Sequence, residues 1–118
     1  MTIVHVAKGD SPLILSMPHP GTEIPTDIAA QLNETGRAIA DTDWHMRDLY
    51  AFAQRFNPTI VEATQSRYVI DLNRDPSGVS LYPGQATTEL VPTTDFDGLP
   101  IWSTTPDSAE IERRKPLY

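Results

Sequence analysis

No cysteine occurs anywhere in the 118 residues, which excludes a disulfide framework, a thiolate nucleophile and cysteine metal ligands. Basic charge is scarce: nine lysines and arginines face sixteen acids, giving a net charge of −7 and a pI near 4.7. Nucleic acid as a partner requires a basic patch, so this balance argues against one. It leaves room for a small acidic ligand, because one or two arginines in a pocket override the global field. Long apolar runs are also missing. None approaches the ~20 residues of a membrane span, and no apolar segment of the secretory type follows a basic start. The expectation is a cytoplasmic protein that does not enter a membrane. Imidazoles are few, namely His5, His19 and His45.

Proline, by contrast, is abundant, with eleven in the chain. Pro76, Pro83, Pro92, Pro100 and Pro106 interrupt any long regular element between residues 76 and 106. That stretch is expected to wrap the surface or border a site. The length suits a single domain, and a hydrophobic fraction of 39% supports a small core.

Local patterning predicts short strands and short helices. Ile3 to Val6 reads as a first strand, followed by a turn at Lys8-Gly9-Asp10-Ser11. Leu13 to Met17 is a compact apolar run, the mark of a buried strand, and it stops at Pro18-His19-Pro20-Gly21. Thr26 to Leu32 suits a short helix. Asp41 or Thr42 can cap a longer one, with Leu49, Phe52, Ala53 and Phe56 spaced to form an apolar face. Thr59 to Ala63 reads as another strand and Arg67 to Leu72 as a third, closed by the turn chemistry of Asn73 to Gly78. Thr105-Pro106-Asp107 predicts a helix start with Thr105 as the cap and Ile111 facing inward. The mixture of strands and helices points to the α/β class.

Three segments carry candidate chemistry. In Met17-Pro18-His19-Pro20-Gly21-Thr22-Glu23, two prolines stiffen the backbone around a histidine placed just past a strand. One ring nitrogen of His19 could bind a metal while a second group orients the other nitrogen; Glu23 is a possible companion ligand. A plain loop histidine would have the same sequence. In Asp41-Thr42-Asp43-Trp44-His45, carboxylates at a helix start either cap the helix or bind a divalent ion. Asp41 suits the cap and Asp43 the metal. In Arg67-Tyr68-Val69-Ile70-Asp71-Leu72-Asn73-Arg74, guanidinium and amide groups flank an apolar run, the equipment of a pocket for a small diacid. A surface salt-bridge cluster is the alternative. On a strand, Asp71 would share a side with Arg67 and could orient Arg67 or Arg74.

Taken in order, Ile14-Leu15-Ser16-Met17-Pro18-His19-Pro20-Gly21, Asp41 to His45 with Leu49 to Ala53, and Ser66 to Arg74 resemble the N-formylglutamate amidohydrolase family. A weaker block, Leu81 to Thr88, extends the likeness. The Arg67 to Arg74 segment also resembles an element of aspartoacylases, more distant relatives among the zinc-carboxypeptidase-like hydrolases. The resemblance implies a three-layer α/β/α, zinc-carboxypeptidase-like fold, of which residues 1–118 are the N-terminal portion of one catalytic domain. It implies hydrolysis of N-formyl-L-glutamate to formate and L-glutamate, a step of histidine catabolism, with Zn2+ or another divalent metal. His19 and Asp43 would be metal ligands, with Glu23 the alternative to Asp43. Arg67 would polarise the scissile carbonyl, and Asn73 and Arg74 would hold a substrate carboxylate. A third ligand and a glutamate base are expected outside residues 1–118, leaving this stretch catalytically incomplete and prone to self-association. A deacylase for another N-acyl amino acid, or a binding domain without catalysis, are the competing readings.

Overall fold

The computed structural model describes residues 2–79 and 89–118. A three-stranded sheet is built from β1 (Val4–Ala7), β2 (Ile14–Met17) and β3 (Thr59–Ala63), in the order β1-β3-β2. β1 runs antiparallel to β3, with Val4 opposite Ala63, whereas β2 runs parallel to it, with Ile14 opposite Thr59. The first two strands are therefore separated by a third that arrives more than forty residues later. Short helices α1 (Thr26–Ala29), α2 (Glu34–Arg37) and α3 (Met46–Leu49) fill the connection, followed by a 3-10 helix at Ala51–Phe56. The chain ends with α4 (Ser108–Arg114) and a 3-10 turn at Lys115–Leu117.

Strands form within Leu13 to Met17 and over Thr59 to Ala63 as the sequence pattern predicts, but the first is not the buried strand expected: Leu13 and Ile14 are exposed and only Met17 is buried. Three other expectations do not hold. Arg67 to Leu72 forms a buried turn instead of a strand: Val69 N–H bonds back to Ser66 O at 2.9 Å, and Asp71 N–H bonds to Leu90 O at 2.7 Å. These bonds replace a strand ladder. The predicted helix after Asp41 breaks at His45, whose φ of 60° is left-handed, and only then forms α3. Of its anticipated apolar face only Ala53 is buried, while Leu49, Phe52 and Phe56 are all more than half exposed. The cap of α4 is Asp107, whose carboxylate accepts from Glu110 N–H at 2.9 Å, not Thr105. A charged cap next to the helix dipole is the better acceptor. Residues 81–88 of the fourth sequence block lie outside the described residues.

The core lies beside the sheet, not on it. Ile28 and Leu32 pack with Tyr68, Val69 and Ile70 of the buried turn and with Val91, Ile101 and Trp102. Trp102 satisfies its indole N–H on Pro92 O at 2.6 Å, so the ring is buried without losing a hydrogen bond. Arg114 of α4 is fully buried. It reaches the carbonyl oxygens of Val69 and Tyr68 at 3.1 and 3.5 Å, pairs with Glu110 at 2.8 Å and stacks on Trp102. Through this side chain α4 holds the backbone of the turn from outside.

Candidate active site

Because β2 and β3 are parallel, their carboxyl ends lie on the same side of the sheet, the usual location of chemistry in α/β folds. His19 follows β2 by two residues, and the Ser66-to-Asn73 turn follows β3. The tight fit between the two loops depends on Gly21: a Cβ there would sit 2.1 Å from Gln65 O. Thr22 and Glu23 then donate their N–H groups to Thr64 O, both at 3.1 Å.

Asp71 is the hub. Its side chain is completely buried, with Oδ1 2.7 Å from Nε2 of His19 and Oδ2 3.0 Å from a terminal nitrogen of Arg67. Asn73 N–H adds a third bond to Oδ1 at 2.8 Å. Burial alone would push the Asp71 carboxyl up. The hydrogen bonds from His19 and Asn73, reinforced by the charge of Arg67, outweigh it and hold the group below the usual carboxylate range. An ionised Asp71 fixes the proton of His19 on Nε2 and directs the lone pair of Nδ1 outward. That Nδ1 lies 3.8 Å from Oδ2 of Asp43, whose backbone N–H is anchored on His19 O at 2.9 Å.

A second buried carboxylate supports the first. Asp41 accepts the Tyr68 hydroxyl at 2.7 Å and the Phe96 N–H at 3.2 Å from each oxygen. Its carbonyl accepts from Arg67 at 3.4 Å. Asp41 thus ties three segments together and caps no helix. Burial first, and then the bond to Asp41, push the Tyr68 phenol well above its ordinary value, so it stays a donor. The Phe96 ring lies over the Arg67 guanidinium, 4.9 Å from centroid to carbon. On the Asp43 side a cleft of about 500 Å³ opens, lined among others by His5, Glu23, His45, Arg47 and Glu62. Arg47 and Glu62 pair across it.

The structure therefore brings His19, Asp43 and Arg67 together. Asn73 is linked by its backbone, and its carbonyl accepts from Arg74 at 2.7 Å. Glu23 is exposed and pairs by a backbone bridge with Gln65, lining the cleft without facing His19 in an ion pair. Sequence reasoning missed the roles of Asp41, Phe96 and Arg114. The Asp95-Phe96-Asp97-Gly98 turn signature could have located Phe96, but nothing local marks what it covers.

Two donors of different type, an imidazole nitrogen and a carboxylate oxygen, suit a borderline cation such as zinc. Their 3.8 Å separation is only slightly wider than the ~3.4 Å that two bonds of ~2.1 Å span at a tetrahedral centre. Among the described residues no group of three or more such side chains gathers around one point. Also among the described residues, no helix is long and apolar enough to cross a membrane.

The fold class is mixed α/β, with its polar site at the carboxyl ends of a small sheet. The chain belongs to the N-formylglutamate amidohydrolase family, whose model matches residues 11–118. It is 45% identical over 100 residues to an N-formylglutamate deformylase of Pseudomonas aeruginosa, covering 85% of this chain and 37% of that protein. It is 41% identical over 110 residues to an N-formylglutamate deformylase of Pseudomonas putida, covering 93% of this chain and 41% of that protein. The crystal structure of N-formylglutamate amidohydrolase from Ralstonia eutropha superposes with a TM-score of 0.72 at 27% identity, over 100% of this chain and 46% of that one. The chain thus spans less than half the length of each of these relatives.

Proposed function

We propose that this chain is the N-terminal portion of a catalytic domain that hydrolyses N-formyl-L-glutamate to formate and L-glutamate, with the three-layer zinc-carboxypeptidase-like architecture. The observation that carries the reading is the shared carboxylate of Asp71, bonded to His19 on one oxygen and to Arg67 on the other. A group that orients a ligand histidine and a carbonyl-polarising arginine together sets both at a fixed distance from one substrate atom. The likeness to the two Pseudomonas N-formylglutamate deformylases supports the choice of substrate, and histidine catabolism is the setting we assign to it.

His19, through Nδ1, and Asp43 would hold a divalent cation, Zn2+ by donor chemistry. When bound, such a cation polarises the formyl oxygen and lowers the pKa of a coordinated water toward ~7. Arg67 stabilises the negative charge that develops on the carbonyl oxygen, a contribution on the order of 3 kcal/mol for a single donor of this kind. Asp71 keeps Arg67 from turning away and keeps the His19 proton on Nε2. Arg74 and Asn73 grip the substrate carboxylate and orient the amide, acting on affinity more than on chemistry.

The test is hydrolysis of N-formyl-L-glutamate beside N-acetyl-L-aspartate by the intact protein, with its zinc content measured. Formate release with bound zinc is expected, reduced zinc retention in His19→Ala and Asp43→Ala, and a raised KM in Arg74→Ala. Zinc retained in full by both single variants would remove the ligand assignment. Preference for the aspartate derivative would replace the substrate with another N-acyl amino acid.

A further inference from the structure

The residues 94–100 turn is built with more care than a surface connection requires. Buried Asp95 accepts N–H bonds from Asp97 and Leu99 at 3.0 and 2.8 Å, and its own N–H is bonded to Leu99 O at 2.9 Å. Gly98 supplies the left-handed φ of 81° that closes the turn. Thr94 and Pro100 bridge at its base. The tip is then fastened to the site itself, because Phe96 N–H is held by both oxygens of Asp41. What this rigid turn presents is a phenyl ring that is 63% exposed, yet rests on the guanidinium of the buried Arg67. A large apolar ring left that open gains little from burial in this position.

We propose that Phe96 is a specificity-determining residue: its ring walls the space beside Arg67 and restricts the acyl group to one no larger than formyl. The inference rests on the deformylase reading and deepens it. Among the described residues, the Arg67 guanidinium meets only Asp71 and the Asp41 carbonyl through hydrogen bonds, leaving further N–H groups for a substrate carbonyl. A carbonyl oxygen accepted there places its acyl substituent next to the ring that covers the same guanidinium. On this inference hydrogen is accepted beside the ring and a methyl group is opposed by it; the Phe96 backbone, pinned at Asp41 and closed at Asp95, fixes where the ring is rooted.

The experiment compares kcat/KM of the intact protein and of Phe96→Ala on N-formyl-, N-acetyl- and N-propionyl-L-glutamate. The ratio of acetyl to formyl turnover is expected to rise about 10-fold or more in the alanine variant, the range a methyl-sized space produces, and to fall in Phe96→Trp. Calorimetry with metal-stripped protein gives a second reading: N-acetyl-L-glutamate binds more tightly to Phe96→Ala than to the parent. If both turnovers drop together and the ratio holds, Phe96 merely supports Arg67 and the inference is overturned, while the deformylase reading stands. If the parent protein hydrolyses none of the three amides, the functional reading fails and takes this inference with it.

Discussion

His19 and Asp71, 52 positions apart in sequence, meet at 2.7 Å. Asp71 is wholly buried and also neutralises Arg67, so it is the member of the site on which the fold leans most. Asp71→Asn keeps the shape and removes the charge. Breaking a buried pair leaves the other charge uncompensated, at a cost of about 3 kcal/mol. Urea unfolding of the variant should show that loss. A change below about 1 kcal/mol would mean that Arg67 finds water instead of Asp71 in solution.

The contact was only half visible in the sequence. Pro18-His19-Pro20 just after an apolar run marked a histidine at a strand end, and Asp43, read from its block as a metal ligand with Glu23 as the alternative, lies 3.8 Å from that ring. The partner of His19 could not be read, because Arg67 to Leu72 alternates like a strand and would have turned Asp71 into the sheet. A six-residue apolar run does not declare its own backbone. Here Leu90 O and the Arg114 guanidinium supply the bonds that a neighbouring strand would have made. The misread helix has a similar cause. Leu49, Phe52 and Phe56 carry helical spacing, yet the core formed elsewhere, around Trp102 and Ile28.

Gly21 sets the approach of the two loops. Its missing Cβ makes way for the Gln65 carbonyl, which is backbone and cannot swing aside. Gly21→Ala should therefore destabilise by about 2 kcal/mol and displace the ring resonances of His19 in an NMR spectrum. Unchanged stability and unchanged resonances would show that the loops have slack.

Arg114 is the outer support of the same turn. Replacing it with methionine keeps most of the apolar stem but strands the Val69 carbonyl and removes the stacking on Trp102. A loss of about 3 kcal/mol is expected in chemical denaturation, from an unsatisfied buried acceptor and a broken charged pair. A methionine variant as stable as the parent would indicate that packing against Trp102 alone holds α4.

Glu110 gives the acid limb of stability a defined sign. Its bonds to Arg113, followed by those to Arg114, overcome partial burial and lower its pKa from 4.5 to about 2 in the folded chain. The depressed value means that the unfolded chain takes up the proton first. The stabilisation is complete above pH 4.5 and fades as pH falls toward 2. Glu110→Gln should be less stable than the parent at neutral pH, with the gap narrowing through that window. Two parallel pH–stability curves would contradict the assignment.

The strand order β1-β3-β2 also governs when the molecule can assemble. Neither of the first two strands has a partner until Thr59–Ala63 arrives between them. On a ribosome the leading segments must therefore wait, unpaired, until Ala63 has cleared the exit tunnel, and closure of such distant pairings is slow. Chaperone dependence in this chain would accordingly be concentrated in the interval before β3 emerges.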